Sequence, residues 1–377
     1  MEKEFNPFIV SGYKGQQYFC DREFESSILK KNLENNINTT LFAIRRIGKT
    51  GLIHYVFDSY KNNSKIKCIY VDILSSYNLK DFTNLLATVI YNNFQEDNSI
   101  GKKIINAIKS LSPIISFDNL TGNPELSFKL NDTKQYESTI YQLFSFLESQ
   151  NKKIFVAIDE FQQILEYAEK NTEALLRTYI QTLKNTQFIF CGSNQKMMHE
   201  IFNNAKRPFF ASCSNLHLDY IKTEKYFEFI NQIFSQNKRK INKQSIDFII
   251  EFTGCHTFYT QFFCNYLYSS GIKNIDFTDV QNIALEILKL NENTFFQYRN
   301  LLTSAQWQLL QAISKEEKLY KAHSKLFINK YKLGTSSMIS RGIEALLEKE
   351  LIFYNTSVEN PYYETYDKFL MRWMQYK

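Results

Sequence analysis

Proline and glycine are scarce in this chain, five and eleven among 377 residues. So few turn-forming residues leave little room for linkers or low-complexity segments. The six cysteines (Cys20, Cys68, Cys191, Cys213, Cys255 and Cys264) include no C-x-x-C pair, which argues against a zinc site and against a disulfide framework. Cys68 and Cys191 fall inside apolar runs, where a free thiol behaves as a small hydrophobe. No apolar run approaches the roughly 20 residues of a membrane-spanning helix. The stretch Met1-Glu-Lys-Glu-Phe5 also lacks the apolar segment of a secretory signal. The expectation is therefore a cytoplasmic protein with no membrane partner. Strong charge bias is missing too. With 45 basic and 39 acidic residues, the formal net charge of +6 permits nucleic acid as a partner without requiring it.

Apolar and aromatic residues are abundant, at 44% and 16%, as a globular chain of this length requires. The length suits two or three domains. The most informative stretch is Leu41-Phe-Ala-Ile-Arg-Arg-Ile-Gly-Lys-Thr50, which reads as a short strand, a tight turn and the start of a helix. Gly48, Lys49 and Thr50 match the end of a P-loop. There, backbone N–H groups and the helix N-terminus hold phosphates, the lysine adds a point charge, and the threonine hydroxyl ligates Mg²⁺. The pattern calls for a glycine at position 43, where Ala43 stands instead. Arg45, Arg46, Ile47 and Gly51 complete the candidate nucleotide-binding loop.

Strands and helices alternate after the loop. A strand is expected over 66–72 and a helix over 81–93; 95–134 reads as an insertion with a candidate helix at 101–111 and a hairpin from Pro113 and Pro124. A helix over 135–150 follows. Residues 153–160 form an almost continuous apolar run ending in Asp159 and Glu160. A run of that kind implies a strand covered on both faces, as in a parallel sheet. Two acids at its carboxyl end lie where such sheets bind ligands. Asp159 is the candidate Mg²⁺ ligand beside Thr50, and Glu160 the candidate that polarises the attacking water. The strand over 187–194 ends in Ser193 and Asn194. Either is a candidate to orient water, and either is also a natural cap for a helix over 196–202. Arg207 is a candidate phosphate-reaching arginine or a solvated surface residue.

From 223 the alternation stops and helices are expected over 224–237, 243–252, 257–269 and 278–290. The end of the chain reads as helix, helix, helix over 337–349, then two strands and a final helix, which is the order of a winged helix. Its third helix would expose Ser337, Ser340, Arg341, Glu344, Glu348 and Lys349, a mixed set that leaves DNA and protein equally open as partners. The expected fold is α/β: a P-loop NTPase of the ASCE/AAA type with a mainly parallel central sheet (1–220), an all-α lid (221–300) and a winged-helix domain (301–377).

Several separated motifs together resemble the small archaeal and bacterial AAA-type ATPases related to the STAND group, which carry a C-terminal winged helix. The matching residues are Asp21-Arg-Glu-Phe-Glu25, Arg45-Arg-Ile-Gly-Lys-Thr50, Ile158-Asp-Glu-Phe161, Phe190-Cys-Gly-Ser193, Arg207-Pro-Phe-Phe210, Thr253-Gly-Cys-His-Thr-Phe-Tyr-Thr-Gln261 and Tyr366-Asp-Lys-Phe-Leu-Met-Arg-Trp373. The resemblance implies ATP and Mg²⁺ as cofactors, with Lys49, Thr50, Asp159 and Glu160 in the roles given above. It also implies Arg22 near the adenine edge and a sensor-like lid element around Gly254. Two departures are Ala43 and Thr257, the latter standing where the family has proline.

The functional expectation is a Mg²⁺-dependent ATP hydrolase of slow turnover, in which nucleotide closes the lid and the winged helix reports the state to DNA or a protein. Arg207 or Arg45 would complete the site, in cis or from a neighbour in a nucleotide-dependent homo-oligomer. The alternatives are a nucleotide-binding regulator or scaffold with little turnover, and a DNA-binding protein that uses ATP as a structural ligand.

Overall fold

The computed structural model describes residues 5–94, 113–117, 122–128, 133–356 and 358–376. The chain divides into two compact units: Arg22–Leu218, and the N-terminal segment through Asp21 together with Asp219–Lys377.

The first unit is built on five strands: β1 Thr39–Ala43, β2 Ile66–Asp72, β5 Lys153–Asp159, β6 Thr186–Gly192 and β7 Ser214–Leu218. All pair in parallel in the order β2-β5-β6-β1-β7. The central strands β1, β5 and β6 are buried almost throughout, whereas the edge strands β2 and β7 are only partly so. Burial on both faces explains why the central strands read as continuous apolar runs and β7 as an alternating one. Helices Glu23–Glu34, Lys49–Asp58, Leu79–Phe94, Thr133–Glu148, Thr172–Ile180 and Gln195–Asn203 connect them. The intervening β3 (Pro113–Phe117) and β4 (Pro124–Phe128) pair as the antiparallel hairpin expected within the insertion. The helix expected over 101–111 lies outside the described residues. Phe82, Phe144, Phe161, Phe188 and Phe190 belong to one hydrophobic core of this unit, while Phe155, from the alternate register of β5, is buried apart from it against Tyr60.

The second unit is helical. Helices Thr223–Gln236, Lys243–Thr253, Thr257–Ser269 and Phe277–Asn300 precede a winged helix made of Ser304–Glu316, Lys325–Lys330, Ser336–Glu348, the antiparallel strands Ile352–Asn355 and Tyr362–Thr365, and a closing helix Lys368–Tyr376. The expected lid and winged-helix regions share one hydrophobic core, which runs from Phe8 to Met374. The helix beginning at Phe277 explains the continuity. It extends ten residues beyond the expected end at 290 because Phe295 and Phe296 pack on Trp373 of the closing helix, with ring centroids 5.5 Å apart in both cases. That polar-looking extension carries no helical apolar period of its own, so only tertiary packing reveals it. Thr257 is the first residue of its helix. Proline suits that position because the N–H there has no intrahelical partner, so threonine in its place leaves the fold intact. Among the described residues no helix is long and apolar enough to cross a membrane.

Candidate functional site

β1 and β5 flank β6, so their carboxyl ends converge on one crevice. The turn after β1 places Arg46 at φ 59° and Gly48 at φ 104°, and helix Lys49–Asp58 starts immediately after it. A glycine meets the left-handed requirement at position 48 without steric cost. Ala43, where the motif calls for glycine, is the last residue of β1 and fully buried in regular strand. Arg45 and Arg46 are exposed, while Ile47 and Lys49 are buried. Gly51 lies within the first turn of the helix. Arg22, also buried, pairs with Glu25 at 2.8 Å and points its second nitrogen at the Ile47 carbonyl, 3.5 Å away.

Thr50 and Asp159 meet directly: the Thr50 hydroxyl donates to Asp159 Oδ2 at 2.8 Å. Adjacent ligands of an octahedral Mg²⁺ sit about 2.9 Å apart, given metal–oxygen distances of about 2.0–2.1 Å, so the two oxygens fit one cation. No group of three His, Cys, Asp or Glu among the described residues could hold a metal by itself. A cation here would depend on substrate phosphates, as Mg²⁺ characteristically does. Asp159 also accepts from the Tyr70 hydroxyl at 2.7 Å, from Cys191 Sγ at 3.1 Å, and from the Glu160 backbone N–H at 2.9 Å. Burial pushes its carboxyl up, but the Cys191 and Tyr70 donors, the Lys49 charge and Thr50 outweigh burial and hold it below the ordinary value. Burial together with the Asp159 charge raises both the Tyr70 phenol and the Cys191 thiol, which keeps both protonated as donors. Asp72, paired in register with Asp159, has a carboxyl raised by burial and by the nearby Asp159 and Glu160 charges.

Glu160 stands at φ 56°, just past the end of β5. Its Oε2 accepts from Ser193 N at 3.1 Å, Ser193 Oγ at 2.8 Å and Gln162 Nε2 at 2.6 Å. The two residues at the tip of β6 therefore have different contacts. Ser193 holds Glu160, while Asn194 caps helix Gln195–Asn203 through Met197 N at 3.1 Å. Arg207 forms an ion pair with the buried Glu173 at 2.5 Å. In the other unit, Gly254 closes helix Lys243–Thr253 in the left-handed conformation and lies against the side chain of Lys368.

Sequence reading missed Tyr70, Cys191 and Gln162. Cys191 was assigned only as a buried thiol. For Tyr70, the available signal was a hydroxyl two residues before Asp72 on a strand ending at the crevice. For Gln162 it was a polar residue beside the Asp159–Glu160 pair, too common a pattern to single out.

A family described as an ATPase domain predominantly from Archaea matches residues 19–259, and a probable winged helix domain matches residues 293–376. No curated protein matches the chain. Among solved structures, the chain is similar to the Walker-type ATPase PABY2304 of Pyrococcus abyssi, with 17% identity, TM-score 0.67, and 98% of this chain and 99% of that one covered. It is also similar to the Aeropyrum pernix ORC2 protein in its ADPNP–ADP complexes, with 12% identity, TM-score 0.56 and coverage of 99% and 98%. A third similar structure is the Aeropyrum pernix ORC1 protein in complex with DNA, with 11% identity, TM-score 0.51 and coverage of 95% and 93%. At these identities the likeness establishes the fold, a P-loop NTPase sheet followed by a C-terminal winged helix. With the larger part of its length matched by that family, the chain belongs to the ATPase domains found predominantly in Archaea.

Proposed function

We propose that this protein is a Mg²⁺-dependent ATP hydrolase whose nucleotide state is reported to a partner through the winged-helix unit. The observation that carries the reading is the contact of Thr50 with Asp159 at the P-loop, with Glu160 beside it and anchored by one oxygen only. In this reading Lys49 and the backbone of residues 45–51 bind the phosphates of ATP. Thr50 and Asp159 hold Mg²⁺, which would neutralise charge on the β- and γ-phosphates. Glu160 Oε1, which no described residue engages, accepts a hydrogen bond from the attacking water and aligns it with the γ-phosphorus. Phosphoryl transfer of this kind depends on positioning and charge stabilisation, so turnover without a completing arginine is slow.

Substituting Glu160 by Gln and measuring phosphate release tests the assignment. E160Q should bind ATP and fail to release phosphate. Release at the wild-type rate would rule out Glu160 as the water-orienting group.

Nucleic acid is the partner that one observation favours. The exposed face of helix Ser336–Glu348 balances Arg341 against Glu344 and Glu348. The preceding stretch from Lys318 to Lys332 contains Lys318, Lys321, Lys325, Lys330 and Lys332, all exposed, and no acidic residue. Lys330 pairs with Glu316 at 2.6 Å; among the described residues no carboxylate pairs with the other four. Four phosphate contacts would give log affinity for duplex DNA a slope of about −3.6 against log salt. A flat salt dependence would leave a protein as the partner.

A further inference from the structure

Gln162 has a place in the site that Asp159 and Glu160 alone do not account for. It is the second residue of the 3-10 turn Phe161–Glu166 that follows Glu160, and its side chain is 7% exposed. Its Nε2 donates to Glu160 Oε2 at 2.6 Å. Its Oε1 has no hydrogen-bond partner and lies against the Cα of Gly192, where a Cβ would stand 1.9 Å away. Gly192 ends the fully buried strand β6, and no positive φ requires a glycine there. Glycine within a strand weakens it, and its usual justification is close approach of another group. Here that group is chiefly the Gln162 amide, with the Met198 sulfur 2.9 Å from the same point. The next residue, Ser193, delivers its N–H and hydroxyl to the same carboxylate oxygen.

We propose that Gln162, seated on Gly192, is a positioning residue for hydrolysis. Together with Ser193 it fixes Glu160 Oε2 and so fixes the direction in which Oε1 meets the attacking water. The proposal rests on the reading of Glu160 given above. Glu160 leaves β5 in the left-handed conformation, and its side chain is part-exposed, so without the amide the carboxylate would sample other rotamers. A buried acceptor left unpaired is costly, and such costs are concentrated where function requires them.

The test uses the full chain, single-turnover phosphate release and the affinity for a fluorescent ATP analogue. Gln162→Met keeps an unbranched side chain of similar length and removes the donor. It should lower the rate constant by about ten- to a hundredfold, as expected for one hydrogen bond to a charged group, and leave nucleotide affinity within about twofold. Gly192→Ala expels the amide from its seat and should produce a loss of the same size. Combined with Gln162→Ala, which removes the 1.9 Å contact and leaves only the flexible Met198 thioether, 2.9 Å away, to shift, it should add no further loss. E160Q run alongside separates the two failures. Wild-type turnover by E160Q would remove the reading of Glu160, and the proposal with it. Wild-type turnover by Q162M beside an inactive E160Q would overturn the proposal alone. A parallel fall in ATP affinity would also overturn it, because Gln162 would then act on binding. If Gly192→Ala does not fold, the rate and affinity of Q162M decide.

Discussion

Among the described residues two lysines are buried, one in each unit, and they differ in what supplies their counter-charge. Lys368 sits in the closing helix with its partner built in. It is ion-paired with Glu364 of the preceding strand Tyr362–Thr365, and the Tyr220 hydroxyl donates to the second oxygen of Glu364 at 2.9 Å. The Tyr220 ring lies 5.1 Å from the ammonium, and Gly254 packs along the side chain. Lys49 has no such arrangement. Among the described residues no side chain forms an ion pair with it; it acts electrostatically on Asp159, whose oxygens are already taken up by Thr50, Tyr70 and Cys191. Burying an ammonium is unfavourable unless something compensates for it. In the helical unit the chain provides that compensation, so the residue serves stability. In the nucleotide-binding unit, under the function proposed above, a ligand phosphate would supply it.

The largest expected effect separates the two. Lys49→Met should reduce ATP affinity by at least about a hundredfold, as loss of a charge-assisted phosphate contact does, without lowering the unfolding midpoint of the nucleotide-free protein. A drop in that midpoint would mean that Lys49 has a structural partner after all. Lys368→Met should do the opposite. It leaves Glu364 buried and unpaired, a loss of about 3–5 kcal/mol in urea unfolding, with ATP affinity unchanged in the folded protein. Adding Glu364→Gln, which still accepts from Tyr220, should restore most of that stability. If it does not, the ion pair is not what stabilises the closing helix.

Much of the nucleotide-binding unit was legible because its signals are local. β2 and β5 carry apolar runs with acids at their ends, and the order of loop, acidic strand tip and polar strand tip survives without any tertiary information. The helical unit was legible in its elements and not in their association. The periodicity of residues 278–290 gives no hint that the helix continues to Asn300, because the continuation is specified by Trp373, far away in the sequence. The same limit applied to the site. Nothing local ties Tyr70 or Cys191 to Asp159; each reaches it across a strand pairing. Sequence left Ser193 and Asn194 both as candidates, with a slight preference for Ser193, and their hydrogen bonds give them different partners, Glu160 for Ser193 and the Met197 N–H for Asn194.

Tyr70 offers a smaller and sharper test of the functional side of the comparison. Removing its hydroxyl by Tyr70→Phe takes away one donor that orients Asp159, an outer-shell change that typically costs ten- to a hundredfold in metal affinity. Binding of an ATP analogue with Mg²⁺ should weaken by about tenfold, while binding in EDTA should stay the same. Equal losses in the two conditions would show that Tyr70 acts on the loop itself and not on the cation.

Arg207 shares features with each of the two lysines, and gives the smallest effect. Sequence alone allows it a phosphate or the solvent; the fold gives it Glu173. Burial raises the Glu173 carboxyl above its ordinary value, and the Arg207 charge opposes that rise. A carboxyl with a folded pKa above its unfolded one destabilises the fold once ionised. The penalty is fully present above the folded pKa and absent below the unfolded value of 4.5. Arg207→Ala removes the opposing charge, so the folded pKa rises further and the penalty grows. The variant should therefore lose about 1 kcal/mol at neutral pH, and the deficit should shrink as pH falls toward 4.5. Adding Glu173→Gln should abolish the pH dependence of the deficit. Single-turnover hydrolysis by the Arg207→Ala protein, measured well below its unfolding temperature, then decides which lysine Arg207 resembles. An unchanged rate places it with Lys368, as a residue whose partner is the chain. A rate loss beyond tenfold would place it with Lys49, and the Glu173 pair would then be the contact that the arginine leaves when phosphate arrives.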